Sequence, residues 1–431
     1  MQRRSSSFVG SGGGRTTLDA HKFIVSTNLS RPAIDAKLWD ARRNRRYTKM
    51  CLTGVLGVYG YQQQAPLFVD RDLAKSLGDL LTCDDRVWDR IEIEHTNGEI
   101  DLIIAIAMST GRVKALWFSE VQLNVASVHA LATGFKYNRS VTELRLRRWR
   151  VDDDESVLVE LIGSGVRGNP TIESISLEQC GLLDGQVADF VACLRQCTSL
   201  TKLSVEGNAC RDRSMHEIDL LLREMTVQSL SLHYQRLEDD ERLDVAPIAN
   251  CLRGQNSSLK FLDLSRNSLG DHDIALLMDG LLDGNQSLVT LHLDQNLISN
   301  DGARTIADAL PRLSPSLKTL ALPENPFDEV GAVLLLNSIR DQMHIETLIL
   351  PSGIGRIQRE IRWYNNLNRG GRRLFSTPRD VCLALYPLVI ERVNNLGPSH
   401  SWNPELAAPE TIYGFLRFGP ILFEQDDDQD E

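Results

Sequence analysis

Two groups of side chains carry the chemistry this sequence offers. Trp117, Arg145, Arg147 and Arg148 make up the first; His233, Tyr234, Phe261, Arg266, His292 and Asp294 make up the second. Aromatic rings bury much area at low entropic cost, and the planar guanidinium pairs with carboxylates in a fixed fork, so these residue types dominate the energetics of protein interfaces. The chemistry they point to is recognition. No nucleophile elbow, H-E-x-x-H pair, Walker loop or kinase signature occurs, and the expectation is a non-enzymatic chain with no cofactor.

Both groups must be positioned by a unit that recurs about every 28 residues. In its most regular copy, residues 288–310, Leu288, Leu291, Leu293, Asn296 and Ile298 follow L-x-x-L-x-L-x-x-N-x-L. Ala303, Ile306, Ala307 and Leu310 then share one helical face. Strand cores begin at Trp88, Val113, Val141, Ile172, Leu200, Val227, Leu259, Leu288, Leu317 and Ile345. Strand side chains alternate, so the residues between the apolar ones face outward. One outward column runs Trp117, Arg145, Ser176, Ser204, Ser231, Asp263, His292, Ala321, Ile349. The next runs Ser119, Arg147, Glu178, Glu206, His233, Ser265, Asp294, Pro323, Pro351, with Arg148, Tyr234, Arg266 and Gln295 beside it.

The asparagine place of the unit reads Val121, Trp149, Cys180, Asn208, Gln235, Asn267, Asn296, Asn325, Gly353. A polar side chain there satisfies backbone groups where the chain leaves the strand, and the apolar Val121 and Trp149 require another solution. The long repeats, Asn or Cys at this place and the N-D-G-A helix opening at Asn300–Ala303 resemble the ribonuclease-inhibitor subfamily of leucine-rich repeats. That resemblance implies an α/β leucine-rich-repeat solenoid, a horseshoe with a parallel concave sheet and convex helices, used mostly for protein binding. Past Gly355, the stretch I-x-x-Y-x-x-L-N-R-x-G-R from Ile361 resembles the element that follows the repeats of uncharacterised microalgal proteins.

Other patterns have plainer explanations within this unit. Gly163, Gly165 and Gly168 match G-x-G-x-x-G but follow a helical stretch and precede a strand, the reverse of the phosphate-cradling order. Cys193 and Cys197 lie one helical turn apart without a matching histidine pair, so no metal is expected. Asn28, Asn138, Asn256 and Asn285 open N-x-S/T sequences, and three of them fall just before a strand core, where the repeat wants a polar turn.

The chain is read as a disordered leader (1–17), an N-terminal capping region (18–87), about ten repeats (88–355), a helical C-terminal cap or docking segment (356–423) and an acidic tail (424–431). A net charge of -11 with no broad basic surface argues against nucleic acid as the main partner, although the cluster ARRNRRYTK from Ala41 leaves nuclear import open. Eight cysteines without a C-x-x-C pair suit a reducing compartment, and no apolar run approaches the ~20 residues of a membrane span. The expectation is a cytoplasmic, non-enzymatic adaptor, monomeric before binding, that takes a protein partner on its concave face. Two alternatives are a Ran-type GTPase-activating regulator, suggested by the repeat subfamily and acidic tail, and a ubiquitin-ligase substrate-recognition subunit using Leu383, Leu385, Leu388, Ile412, Leu416 and Phe418.

Overall fold

The computed structural model describes residues 21–370, apart from 28, 55–65, 152–161, 236–242 and 254–257. Its centre is one parallel sheet of twelve strands, each joined to its neighbour by a crossover that carries a helix wherever the connection is described throughout. In sheet order the strands are β1 (Lys22–Ser26), β2 (Lys49–Thr53), β4 (Arg90–Glu94), β6 (Ala115–Ser119), β8 (Glu143–Arg147) and β10 (Ser174–Glu178). They continue as β11 (Lys202–Ser204), β12 (Ser229–Ser231), β13 (Phe261–Asp263), β14 (Thr290–His292), β15 (Thr319–Ala321) and β16 (Thr347–Ile349). Helices such as Val125–Tyr137, Asp184–Leu194 and Asp271–Leu282 bury the expected faces, for example Val128, Leu131 and Phe135 in the first of them. Sheet leucines and helix aliphatics interlock in one continuous core from Phe23 to Ile361. The architecture is a leucine-rich-repeat solenoid, as the periodicity required.

The sheet begins earlier than the repeat spacing indicated. Lys22–Ser26 and Lys49–Thr53, both within the stretch read as a cap, pair in register with each other and with β4. These two units carry strand alternation and helices with buried Leu38 and Leu77, but they lack the leucine spacing by which the later copies are recognised. Periodicity therefore located the regular units and missed the irregular ones.

Each later repeat is stitched to the next by one amide side chain. Asn296 Oδ1 accepts from the Asn267 and Leu269 N–H groups at 2.9 and 3.2 Å, and its Nδ2 donates to Leu264 O and Leu293 O at 3.1 and 3.0 Å. Asn208, Gln235, Asn267 and Asn325 repeat this pattern one unit apart. Buried backbone groups that no strand reaches are thereby paired. The early units use backbone instead. Short strands β3 (Leu67–Val69) and β5 (Thr96–Gly98) pair in parallel, as do β7 (Gln122–Leu123) and β9 (Arg150–Val151), so the buried Val121 and Trp149 need no polar atom.

A second set of amides holds the turns that lead into the strands. Asn138 is buried, donates to Met108 O at 2.6 Å and accepts from the Val141 N–H at 2.8 Å. Asn169 and Asn285 do the same for their own turns, which accounts for Asn138 and Asn285 as repeat grammar rather than glycan acceptors; Asn28 and Asn256 lie outside the described residues. At the far end the helix Gly355–Gly370 closes on the sheet edge. Asn365 both accepts from the Leu348 N–H and donates to Leu348 O, each at 3.1 Å, and Asn368 donates to Ile345 O at 2.8 Å. One carboxamide thus does for β16 what a further strand would do. Residues 371–431, including the six apolar residues of the docking reading and the acidic tail, lie outside the described residues, as does the 1–17 leader.

Candidate functional site

The outward columns fall as the alternation required: Trp117, Arg145 and Ser176 are cross-strand neighbours, and so are Asp263 and His292. At the N-terminal group the Trp117 indole lies between two guanidiniums, with Arg90 3.4 Å and Arg145 5.2 Å from its ring centroid. Its Nε1–H donates to Glu143 Oε1 at 2.8 Å. Arg145 donates to Glu178 Oε2 at 2.7 Å, while the Arg147 Nε stays 4.0 Å from that carboxylate. Burial would lower the Arg145 pKa, yet the hydrogen bond and charge of Glu178 outweigh it and raise the value. Glu92 accepts from Lys22 and, at 2.9 Å, from Arg90. Burial would raise its carboxyl, and those two cations hold it below the usual range. Glu92, Glu94, Trp117, Ser119, Arg145 and Arg147 line a concavity of about 210 Å³.

Arg148 does not join this group. It has a left-handed backbone, φ 46°, and turns along the rim to donate to Glu120 at 2.9 Å and Gln179 at 2.6 Å. The same conformation recurs at the residue before the asparagine place in unit after unit: His95, Glu120, Arg148, Gln179, Gly207, Tyr234, Arg266, Gln295 and Glu324 all have positive φ. From His95 to Gln295 each gives its N–H to the next repeat, as Tyr234 does to Ser265 O at 2.9 Å and Arg266 to Asp294 O at 2.9 Å. Left-handed backbone costs a side-chain-bearing residue roughly 1–2 kcal/mol. These inter-repeat bonds and the side-chain ladder along the rim offset that cost.

The central group is looser. Phe261 and His292 meet edge to face at 5.3 Å, and His233 Nδ1 is 3.9 Å from Asp263 Oδ2. Burial pushes the Asp294 carboxyl above the usual range, and its Oδ1 is buried with no hydrogen-bond partner. Arg266 turns to Gln295 on the rim, which in turn donates to Glu324. Tyr234, 43% exposed, stands on the same rim beside Gly207, where the column has no side chain. Sequence reasoning missed Lys22, Arg90 and Glu92. The R-I-E-I-E alternation of β4 carried the signal, but the outward columns were counted only from Trp117.

The remaining motifs serve packing. Residues 162–166 are helical, and Gly163 and Gly165 let that helix approach its neighbours: a Cβ at 165 would lie 2.4 Å from Ala132 O. The Cys197 thiol donates to Val166 O at 3.0 Å, and burial pushes the Cys210 thiol up to about 12. Among the described residues no group of three or more His, Cys, Asp or Glu is arranged to hold a metal ion, and no helix is long and apolar enough to cross a membrane.

The parallel sheet, its amide ladder and its outer helices are the architecture of a leucine-rich-repeat solenoid. The Leucine Rich repeat family matches residues 255–278 and 284–307. The chain is 32% identical over 157 residues to a ribonuclease inhibitor of Sus scrofa, covering 36% of this chain and 33% of that protein. It is 27% identical over 190 residues to NACHT, LRR and PYD domains-containing protein 14 of Mus musculus, covering 43% of this chain and 18% of that one. The matched stretch thus spans a third or less of either relative. Among solved structures, an internalin from Listeria monocytogenes aligns with 65% of this chain and 95% of its own at 13% identity and a TM-score of 0.37.

Proposed function

We propose that this chain is a non-enzymatic adaptor that binds a protein partner on the outward face of its sheet, with Trp117, Arg145 and Arg147 as the principal contact and Tyr234 as a second anchor. The observation that carries the reading is the pre-organised Trp117 ring, clamped by Arg90 and Arg145 at the edge of a concavity where Arg147 presents a guanidinium 4.0 Å from its nearest carboxylate. A rigid aromatic beside an incompletely paired arginine binds with little ordering cost. A relative named for inhibiting ribonuclease, itself a protein, supports the same use of the repeats. The GTPase-activating reading leans on the repeat subfamily and the acidic tail, the ubiquitin-ligase reading on apolar residues past 370, and the tail and those residues lie outside the described residues. The chain is proposed to act in the cytoplasm as a monomer until it meets its partner.

Quantitative affinity purification with the full chain and its Arg147→Glu and Tyr234→Ala variants tests this. Partners held by the sheet face drop at least tenfold with Arg147→Glu while the melting temperature stays within a degree or so, because Arg147 makes no close ion pair to lose. An unchanged partner set with both variants removes the proposal.

A further inference from the structure

In the central group two carboxylates have no lysine or arginine partner among the described residues. Asp263 has His233 Nδ1 at 3.9 Å and accepts from the Ser265 N–H at 2.9 Å. Asp294 leaves Oδ1 buried and unpartnered, while its own N–H goes to Ser265 Oγ at 3.3 Å. Among the described residues neither aspartate pairs with a lysine or arginine, and Arg266 is committed to Gln295. The Phe261 ring, set edge to face with His292 at 5.3 Å, stands on the same strand as Asp263, two residues away and on the same face.

The Trp117 group shows what completes such an arrangement. There the acids Glu92 and Glu178 each hold a guanidinium, and Arg90 lies on the indole face. The central group has the acids and the aromatic ring but lacks the cation. An aromatic face attracts a cation, and a carboxylate oxygen buried without a donor is destabilised until a donor reaches it.

We propose that Phe261, Asp263, His292 and Asp294 form a receptor for one arginine side chain of the bound partner, its guanidinium against Phe261 and its N–H groups on the Asp294 and Asp263 carboxylates. This rests on the protein-binding reading and names the partner's chemistry. Arginine fits better than lysine because Asp263 lies opposite His292 and Asp294 follows two residues further along, a diagonal span that a planar fork of five donors suits better than a point-like ammonium.

The test uses the purified full chain and three capped tripeptides, acetyl-Gly-Xaa-Gly-amide with arginine, lysine or the neutral isostere citrulline at Xaa. Proton NMR follows the ring signals of His233 and His292. The arginine peptide is expected to give saturable shifts, with lysine several-fold weaker and citrulline at least tenfold weaker. Asp263→Asn with Asp294→Asn lowers arginine affinity at least tenfold, Asp294→Asn alone lowers it several-fold, and Lys75→Ala, on the exposed side of the helix Arg71–Thr82, leaves it unchanged. Equal response to citrulline, persistence of binding in the double variant, or no saturable shift up to the peptide's solubility limit overturns the proposal. Because the titration uses no partner, its outcome is separable from partner capture: loss of capture with Arg147→Glu but no arginine binding defeats only this inference, and the converse defeats only the earlier reading.

Discussion

The first half of the sheet and the second solve the same packing problem by different means. From β1 to β10 the turns beyond the strands are held by extra backbone pairing and apolar plugs such as Val121 and Trp149, and the outward face is dense with paired charge around Trp117. From β11 to β15 one amide per unit holds the turns, and the outward face carries Ser204, Ser231 and Ala321 around the loosely paired group of Phe261, Asp263, His292 and Asp294. The contrast teaches that regular repeat grammar and charge pairing on the sheet face run in opposite directions. Where the unit is regular the amide holds the turn, and Asp263 and Asp294 have no lysine or arginine partner among the described residues; where it is irregular, backbone pairing holds the turn and ion pairs gather around Trp117.

The sharpest way to break this comparison is at the ladder. Asn296→Ala removes four buried hydrogen bonds and is expected to cost about 4 kcal/mol in denaturant unfolding, against about 2 kcal/mol for the methyl groups lost in Val121→Ala. Equal costs would mean that the two halves do not differ in this respect. Asn365→Ala orphans both backbone groups of Leu348 and is expected to cost about 2 kcal/mol, with faster hydrogen exchange confined to β16 and the helix Gly355–Gly370. Gly207→Ala places a Cβ at φ 66° and 2.6 Å from the Gln179 side chain, for a loss of about 1.5 kcal/mol at the point where the two halves join.

The smallest effects have opposite signs. Glu92 is held below its ordinary range, so its contribution is present above the unfolded value of about 4.3 and is lost as pH falls through the folded one. Glu92→Gln therefore lowers stability at pH 7 by about 1 kcal/mol and flattens the acid limb of the stability profile. Asp294 is raised, so the folded chain prefers its protonated form, and its cost sets in as pH rises from about 3.9 through the folded value. Asp294→Asn is expected to raise stability at pH 7, by on the order of 0.5 kcal/mol. Thermal unfolding from pH 3 to pH 8 checks both, and matching signs would contradict the assignment of one as paired and the other as unpaired.

Much of the fold was legible because it repeats. Leu291, Leu293 and Asn296 name their own places, and the helical faces through Val128, Phe190 and Ile274 were readable as period 3.6. The outward positions of Trp117, Arg145, His292 and Asp294 followed from strand alternation alone. Arg148 and Arg266 were misgrouped, since adjacency in sequence does not reveal that a left-handed residue swings its side chain along the rim. Lys22 is 70 residues from Glu92, and nothing local joins them.

By itself, then, the sequence determined the repeating strand, turn and helix and the side of the sheet each residue occupies, because both follow from short periodicities that burial imposes on a chain. Only the tertiary structure decided which charges meet. Arg145 rather than Arg147 took Glu178, Arg90 rather than a second aromatic covered Trp117, and Asp294 was left without a donor. Such contacts depend on distances of a few ångströms between residues on different repeats, and those distances exist only once the repeats are stacked.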